Sequence, residues 1–256
     1  MVDPGISSLG FAVGVLVGMT GVGSGSVMTP ALILAGVRPA VAVASDLVYA
    51  AITKGVGAVQ HLRQGTVNLP LVFYLSVGSV PAALLGVKFF SDLERRLGPA
   101  LDLWVTRLVA ILLIALAAFT LLDLVRPLRA RAPRPPLPWT VPVKLLTVCA
   151  GAGVGLLVSF TSIGSGAIVA ALLLHLYRLP PSQVVGSDIV QAVFLAGAAG
   201  LAHAAGGRVD PRLVASLLLG SIPGVLAGSA LCTRMPRRAL RGIVAMAILY
   251  AGVRLL

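Results

Sequence analysis

With 58% of its 256 residues hydrophobic, only 11% charged and a mean hydropathy of +1.01, this chain is built for lipid, since a soluble domain carries roughly 25% charged residues. The formal charge of +12 does not point to nucleic acid, because the arginines fall in short polar segments, at Arg95 and Arg96, from Arg126 to Arg134 and from Arg234 to Arg241, where they report membrane orientation. Cys149 and Cys232 lie in apolar stretches with no second Cys or His at ligand spacing. They are expected to be small buried hydrophobes, implying neither a disulfide nor a metal.

A bilayer core about 30 Å thick takes roughly 20 apolar residues per helix, and about eight such stretches follow one another along the chain. The expected class is therefore an all-α polytopic membrane protein, with spans at 6–36, 41–62, 70–90, 103–125, 143–176, 184–205, 212–232 and 239–256. Met1-Val2-Asp3-Pro4 lacks the basic start of a secretory signal, so the first span is expected to stay in the protein. That span is abnormal. No charge interrupts the 34 residues from Pro4 to Val37, and a continuous helix of that length would measure about 51 Å, well beyond the hydrocarbon. It must break, tilt strongly or turn back. Glycines mark the break at Gly14, Gly18, Gly21, Gly23 and Gly25, followed by Pro30, and again in the fifth span at Gly151, Gly153, Gly155, Gly164 and Gly166. The competing reading is that these glycines only let helices pack closely.

The second span carries Asp46 and Lys54 and the sixth carries Asp188, and three such charges within spans would cost on the order of 8–10 kcal/mol together. Asp46 and Lys54 share a face of one helix but stand about 12 Å apart along it, so Lys54 is expected to meet Asp188 or the substrate. The alternative for the aspartates is that they cap their helices just after Pro39 and Pro181. His61 and His203 sit near span ends, as proton relays, anion contacts or structural residues. The stretch from Ser91 to Asp102 mixes charge with Leu93 and Leu97, as an interfacial helix or a charged loop would. Residues 126–142 hold five prolines between Pro127 and Pro138, so they are read as a basic, semi-rigid linker outside the membrane.

Sliding the chain by 142 positions pairs Ser45-Asp46 with Ser187-Asp188, His61 with His203, Gly65 with Gly207, Gly78-Ser79 with Gly220-Ser221, Pro81 with Pro223 and Gly86 with Gly228. A shift of 141 superimposes Gly23-Ser24-Gly25 on Gly164-Ser165-Gly166. Polar matches at a common offset do not arise from apolar composition. The chain is thus expected to be two homologous four-segment repeats, 1–125 and 143–256, each opening with a glycine-broken or re-entrant segment. Four plain crossings per half would make the repeats parallel. Re-entrant first segments would invert them and gather the linker and the Arg234–Arg241 loop on one positive side, a cytoplasmic linker being favoured.

A helix broken at glycine frees backbone N–H groups and exposes a half-helix dipole, which together bind anions. The candidate substrate ligands are Thr20, Gly21, Gly23, Ser24 and Gly25 in the first half, and Ser162, Gly164, Ser165 and Gly166 in the second. Ser45, Ser187 and Lys54 join them, Lys54 facing Ala196 in the repeat and so breaking its symmetry. Asp46, Asp188, His61 and His203 are the candidates for coupling or proton relay. If Lys54 neutralises one aspartate, the other can carry a proton with the anion.

The segments Gly18-Met19-Thr20-Gly21-Val22-Gly23-Ser24-Gly25 with Pro30, Gly36-Val37-Arg38-Pro39, Ala44 to Lys54, His61 to Gly65 and Gly78-Ser79-Val80-Pro81, with their second-half equivalents, resemble the TauE/SafE family of sulfite exporters and organosulfonate permeases. The resemblance implies a multi-pass permease of the bacterial cytoplasmic membrane moving sulfite, sulfonates or other small anions by alternating access. The partners expected are the anion and the lipid bilayer, with a homodimer allowed; no nucleic acid, metal or cofactor is expected. The rival readings are an intramembrane serine protease with a Ser24/His61 dyad and a passive anion channel.

Overall fold

The computed structural model describes residues 3–20, 23–125, 139–164, 166, 168–169, 172–173, 177, 179–232 and 237–256, apart from the side chains at 20, 125, 181, 232, 237, 238 and 241. Among the described residues there is no strand. The helices whose bounds lie among the described residues are α1 (Pro4–Thr20), α2 (Met28–Leu34), α3 (Pro39–Arg63), α4 (Leu69–Leu97), α5 (Ala100–Val125), α6 (Val141–Thr161), α7 (Pro181–Ala205), α8 (Pro211–Cys232) and α9 (Arg237–Leu255), with a 3₁₀ turn at Ser24–Ser26. Six of them, α3 to α8, are long and apolar enough to cross a membrane, and α1 joined to the turn and α2 makes a seventh, bent by 119°. The abnormal first span therefore breaks. The linker residues 126–138 lie outside the described residues, and α6 takes up the chain at Val141.

Local chemistry explains where these helices start and stop. Asn68 accepts from Leu71 N at 3.2 Å ahead of α4, and its counterpart Asp210 accepts from Arg212 N at 2.8 Å ahead of α8, an oxygen cap for an otherwise orphaned N–H. At the ends of α3 and α7, Gly65 (φ 67°) and Gly207 (φ 71°) take the left-handed conformation. Thr66 N and Arg208 N then return to the carbonyls of His61 and His203, at 3.2 and 3.1 Å, the 6→1 closure of a Schellman motif. The polar stretch from Ser91 is neither a separate interfacial helix nor a loop. Leu93 and Leu97 extend α4 by two more turns until Gly98 stops it, and Asp102, in the first turn of α5, pairs with Arg38 at 3.3 Å.

Helices pair along glycine seams. A Cβ added to Gly10, Gly14 or Gly18 of α1 would run into the backbone of Leu217, Ser221 or Val225 of α8, and one on Gly151 or Gly155 of α6 into Leu75 or Ser79 of α4. Both register series rise together, so α1 is parallel to α8 and α6 to α4. By contrast Gly57 and Gly200 approach Ile189 and Val48, and Gly242 and Gly252 approach Leu124 and Ile114, so α3 runs antiparallel to α7 and α5 to α9. The close-packing reading of the glycines thus holds for α1 and α6, where the seam lets backbones touch. The main apolar core, including Leu47, Leu75, Phe90, Leu113, Val158 and Leu195, draws on both ends of the chain. Cys149, expected to be buried, is exposed on the outer surface of α6, the side such a helix turns to lipid.

Candidate functional site

From Gly23 the chain winds through the 3₁₀ turn, where Ser26 N and Val27 N return to the carbonyls of Gly23 and Ser24 at 3.4 and 2.9 Å. In the other half, α6 ends at Thr161, Ser162 adopts φ 57° and Gly164 φ 110°. The two breaks meet face to face. A Cβ built on Gly166 would stand 3.4 Å from both Cα and N of Gly23, and one on Gly25 would overlap the Ser162 carbonyl. At Gly25 only bare backbone fits, which is why a glycine is needed there in addition to those of the packing seams.

Charge converges on the same place. Asp46 Oδ2 accepts from Thr29 Oγ1 at 2.6 Å and from Ser162 Oγ at 2.8 Å, while its Oδ1 is buried without a partner. The Ser24 hydroxyl is near enough to act on Asp46 but makes no hydrogen bond of ordinary geometry. Asp188 Oδ1 is also buried and unpartnered, with Oδ2 3.8 Å from the direction in which Gly166 would carry a side chain. Lys54 acts electrostatically on both carboxyls, and its Nζ would lie 3.7 Å from a Cβ on Gly23. Neither aspartate caps its helix: Arg38 holds the N-cap of α3 and Pro180 that of α7, and Asp46 lies about two turns inside.

Between the breaks is a cavity of about 10 Å³ lined by Gly23, Gly25, Ser26, Leu116, Ser162, Gly164 and Gly166, room for about one water.

The structure therefore brings together Gly23, Ser24, Gly25, Lys54, Asp46, Ser162, Gly164, Gly166 and Asp188. Gly21, Ser165 and the side chain of Thr20 lie outside the described residues. Ser45 and Ser187, chosen from sequence as substrate ligands, do other work: Ser187 Oγ accepts from Asn68 N at 2.9 Å and Ser45 Oγ from Asp210 N at 3.3 Å, each holding the start of a helix from the opposite half. His61 and His203 sit about four turns, roughly 22 Å, along their helices from Asp46 and Asp188. His61 Nδ1 bonds Thr66 Oγ1 at 2.8 Å, and buried His203 bonds the Ser159 carbonyl and Arg208 Nη1 at 3.0 and 3.2 Å. The Ser24/His61 dyad of the protease reading is consequently not assembled. Sequence reasoning missed Thr29, whose only signal was a hydroxyl beside Pro30 in a charge-free span, and Gln191. One turn beyond Asp188, Gln191 donates to Ser79 Oγ at 3.0 Å while its own Oε1 is buried without a partner.

The profile of the family described as sulfite exporter TauE/SafE matches residues 6–255. The chain belongs to this family. It is 42% identical to the probable membrane transporter protein YjnA of Bacillus subtilis (strain 168) over 97% of both chains. It is 24% identical to the probable membrane transporter protein YdhB of the same organism, over 96% of this chain and 97% of that one. No solved structure matches. Family, relatives and apolar helices together make this TauE/SafE chain a multi-pass membrane permease.

Proposed function

We propose that this permease carries sulfite, a sulfonate or a similar small organosulfur anion across a bacterial cytoplasmic membrane, by alternating access at the interface between two repeats. The observation that carries the reading is the Lys54 ammonium beside the facing glycine breaks. Ser26 N and Val27 N are engaged within the turn itself, so fixed positive charge for an anion comes foremost from Lys54. Two carboxyls near one ammonium leave negative charge to balance, and a proton on one of them supplies the balance. That links anion movement to protons. The narrowness of the space between the breaks, about 10 Å³, suits a gated step of alternating access better than a permanently open channel.

The repeats in this reading are inverted, 1–125 against 143–256. Antiparallel pairing of α3 with α7 and of α5 with α9, and the reciprocal Ser45 and Ser187 contacts, fit a two-fold axis in the membrane plane. The linker and the Arg234–Arg241 loop then share the cytoplasmic side. His61 and His203, with their partners, hold the two membrane faces of the interface.

Purified protein in liposomes is expected to exchange sulfite across the membrane and to leave amino acids and metal cations where they are. Cation flux without anion flux would refute the proposal. Lys54→Ala should lower sulfite exchange about tenfold or more, the scale for removing one charge from a desolvated pair, and Lys54→Arg much less, at equal folded yield.

A further inference from the structure

We propose that Asp46 is a positioning residue that, through one carboxylate oxygen, clasps the two glycine breaks together and shuts the cavity between them. The proposal rests on the reading of those breaks as the transport site.

Thr29 belongs to α2 and Ser162 to the turn after α6, so the two hydroxyls come from segments on either side of the linker. Both donate to Asp46 Oδ2, at 2.6 and 2.8 Å, and all three residues are buried, with Thr29 and Asp46 at 0% and Ser162 at 2% exposure. Hydrogen bonds to a carboxylate are about twice as strong as neutral ones, and exclusion of water strengthens them further. Ser162 needs such an anchor. It is the one non-glycine residue with positive φ among those described, a conformation costing an L-residue on the order of 1–2 kcal/mol. Its carbonyl is also pressed onto Gly25, where no side chain fits. The oxygen that holds Ser162 therefore also holds α2, and the walls of the cavity cannot part while both bonds persist.

The two hydroxyls of the clasp do not recur in sequence. At the offset of 141 that aligns the Gly-Ser-Gly motifs, Thr29 corresponds to Ala170 and Ser162 to Gly21. Neither has a hydroxyl, so Asp188 has no clasp at those positions. The repeat-related aspartates thus divide the work: Asp46 is committed to closure, and Asp188, with Oδ1 unpartnered and Oδ2 toward Gly166, is the carboxyl presented to the solute.

The test uses the full chain with Cys149→Ala and Cys232→Ala and a reporter thiol at Ser24→Cys, labelled in liposomes by a small thiol reagent. Thr29→Val and Ser162→Ala should each speed labelling about tenfold, the scale for losing a hydrogen bond to a charged group. Thr29→Ser should restore the slow rate, and Asp188→Asn should leave it slow. Unchanged labelling in both hydroxyl deletions, equal acceleration by Asp188→Asn, or loss of folded protein in both deletions overturns the clasp. Absence of sulfite flux in the unsubstituted chain, with labelling of the reporter variant still governed by Thr29 and Ser162, would instead remove the transport reading and leave the clasp standing.

Discussion

The turns that end α3 and α7 have the same backbone and different side-chain chemistry. Each closes on a left-handed glycine with a 6→1 bond, and each brings the residue after that glycine onto Nδ1 of the histidine five positions earlier. In the first turn that residue is Thr66, a neutral hydroxyl at 2.8 Å. In the second it is Arg208, 8% exposed, whose Nε meets Glu94 at 2.8 Å and whose Nη2 meets Ser91, with the guanidinium 5.3 Å from the Phe90 ring centroid. Glu94 and Ser91 end α4, so the second turn ties the two halves together by charge while the first relies on hydroxyls. The two turns share the geometry that glycine and the peptide hydrogen bond dictate, while their side chains make the two turns unequal. Asp46 and Asp188 repeat the lesson in the site.

The comparison breaks most sharply at Arg208. Arg208→Ala should strand Glu94 and the buried His203 and cost about 3–5 kcal/mol, read as a large fall in thermal midpoint in detergent. Thr66→Ala should cost about 1 kcal/mol; equal losses would mean that the second turn gains nothing from charge. The seams give the next largest effect. Gly155→Ala drives a Cβ into the Ser79 backbone, whereas two residues earlier Gly153 faces nothing within 4 Å. The first should cost about 1–3 kcal/mol as overpacking, and Gly153→Ala should be neutral or slightly stabilising, because alanine is the better helix former. Gly14→Ala in α1 should match Gly155→Ala if the seams are equivalent. Smallest are Ser45→Ala and Ser187→Ala, each removing one acceptor from a helix-start N–H for about 1 kcal/mol. Their near equality in thermal midpoint, with little change in sulfite exchange, would mark both as staples between halves; a selective loss of exchange would return them to the substrate site.

Much of this was legible in the sequence because it depended on near neighbours. An uncharged run too long for one crossing had to break, whatever its surroundings, and the structure bends it by 119°. Glycine pairs at fixed offsets marked both turns and both breaks. The extension of α4 through Leu93 and Leu97 was misread because charge near the membrane surface suits a helix end and a loop equally well, and only Gly98 decides. The contacts of Ser45 and Ser187 were not legible for another reason: their partners, Asp210 N and Asn68 N, lie more than a hundred residues away.

Sequence was enough to determine that the chain lives in lipid, that it is helical, that its motifs recur at a common offset, and where its backbone must bend, since hydropathy and the conformational range of glycine are local properties. Tertiary structure alone decided which half meets which. It set α1 against α8 and α6 against α4, turned α3 antiparallel to α7, and brought Thr29 and Ser162 to one oxygen of Asp46. A buried carboxylate must find its donors somewhere, but burial names no partner; that choice is made by which backbones come close enough to put two hydroxyls within 3 Å of the same atom.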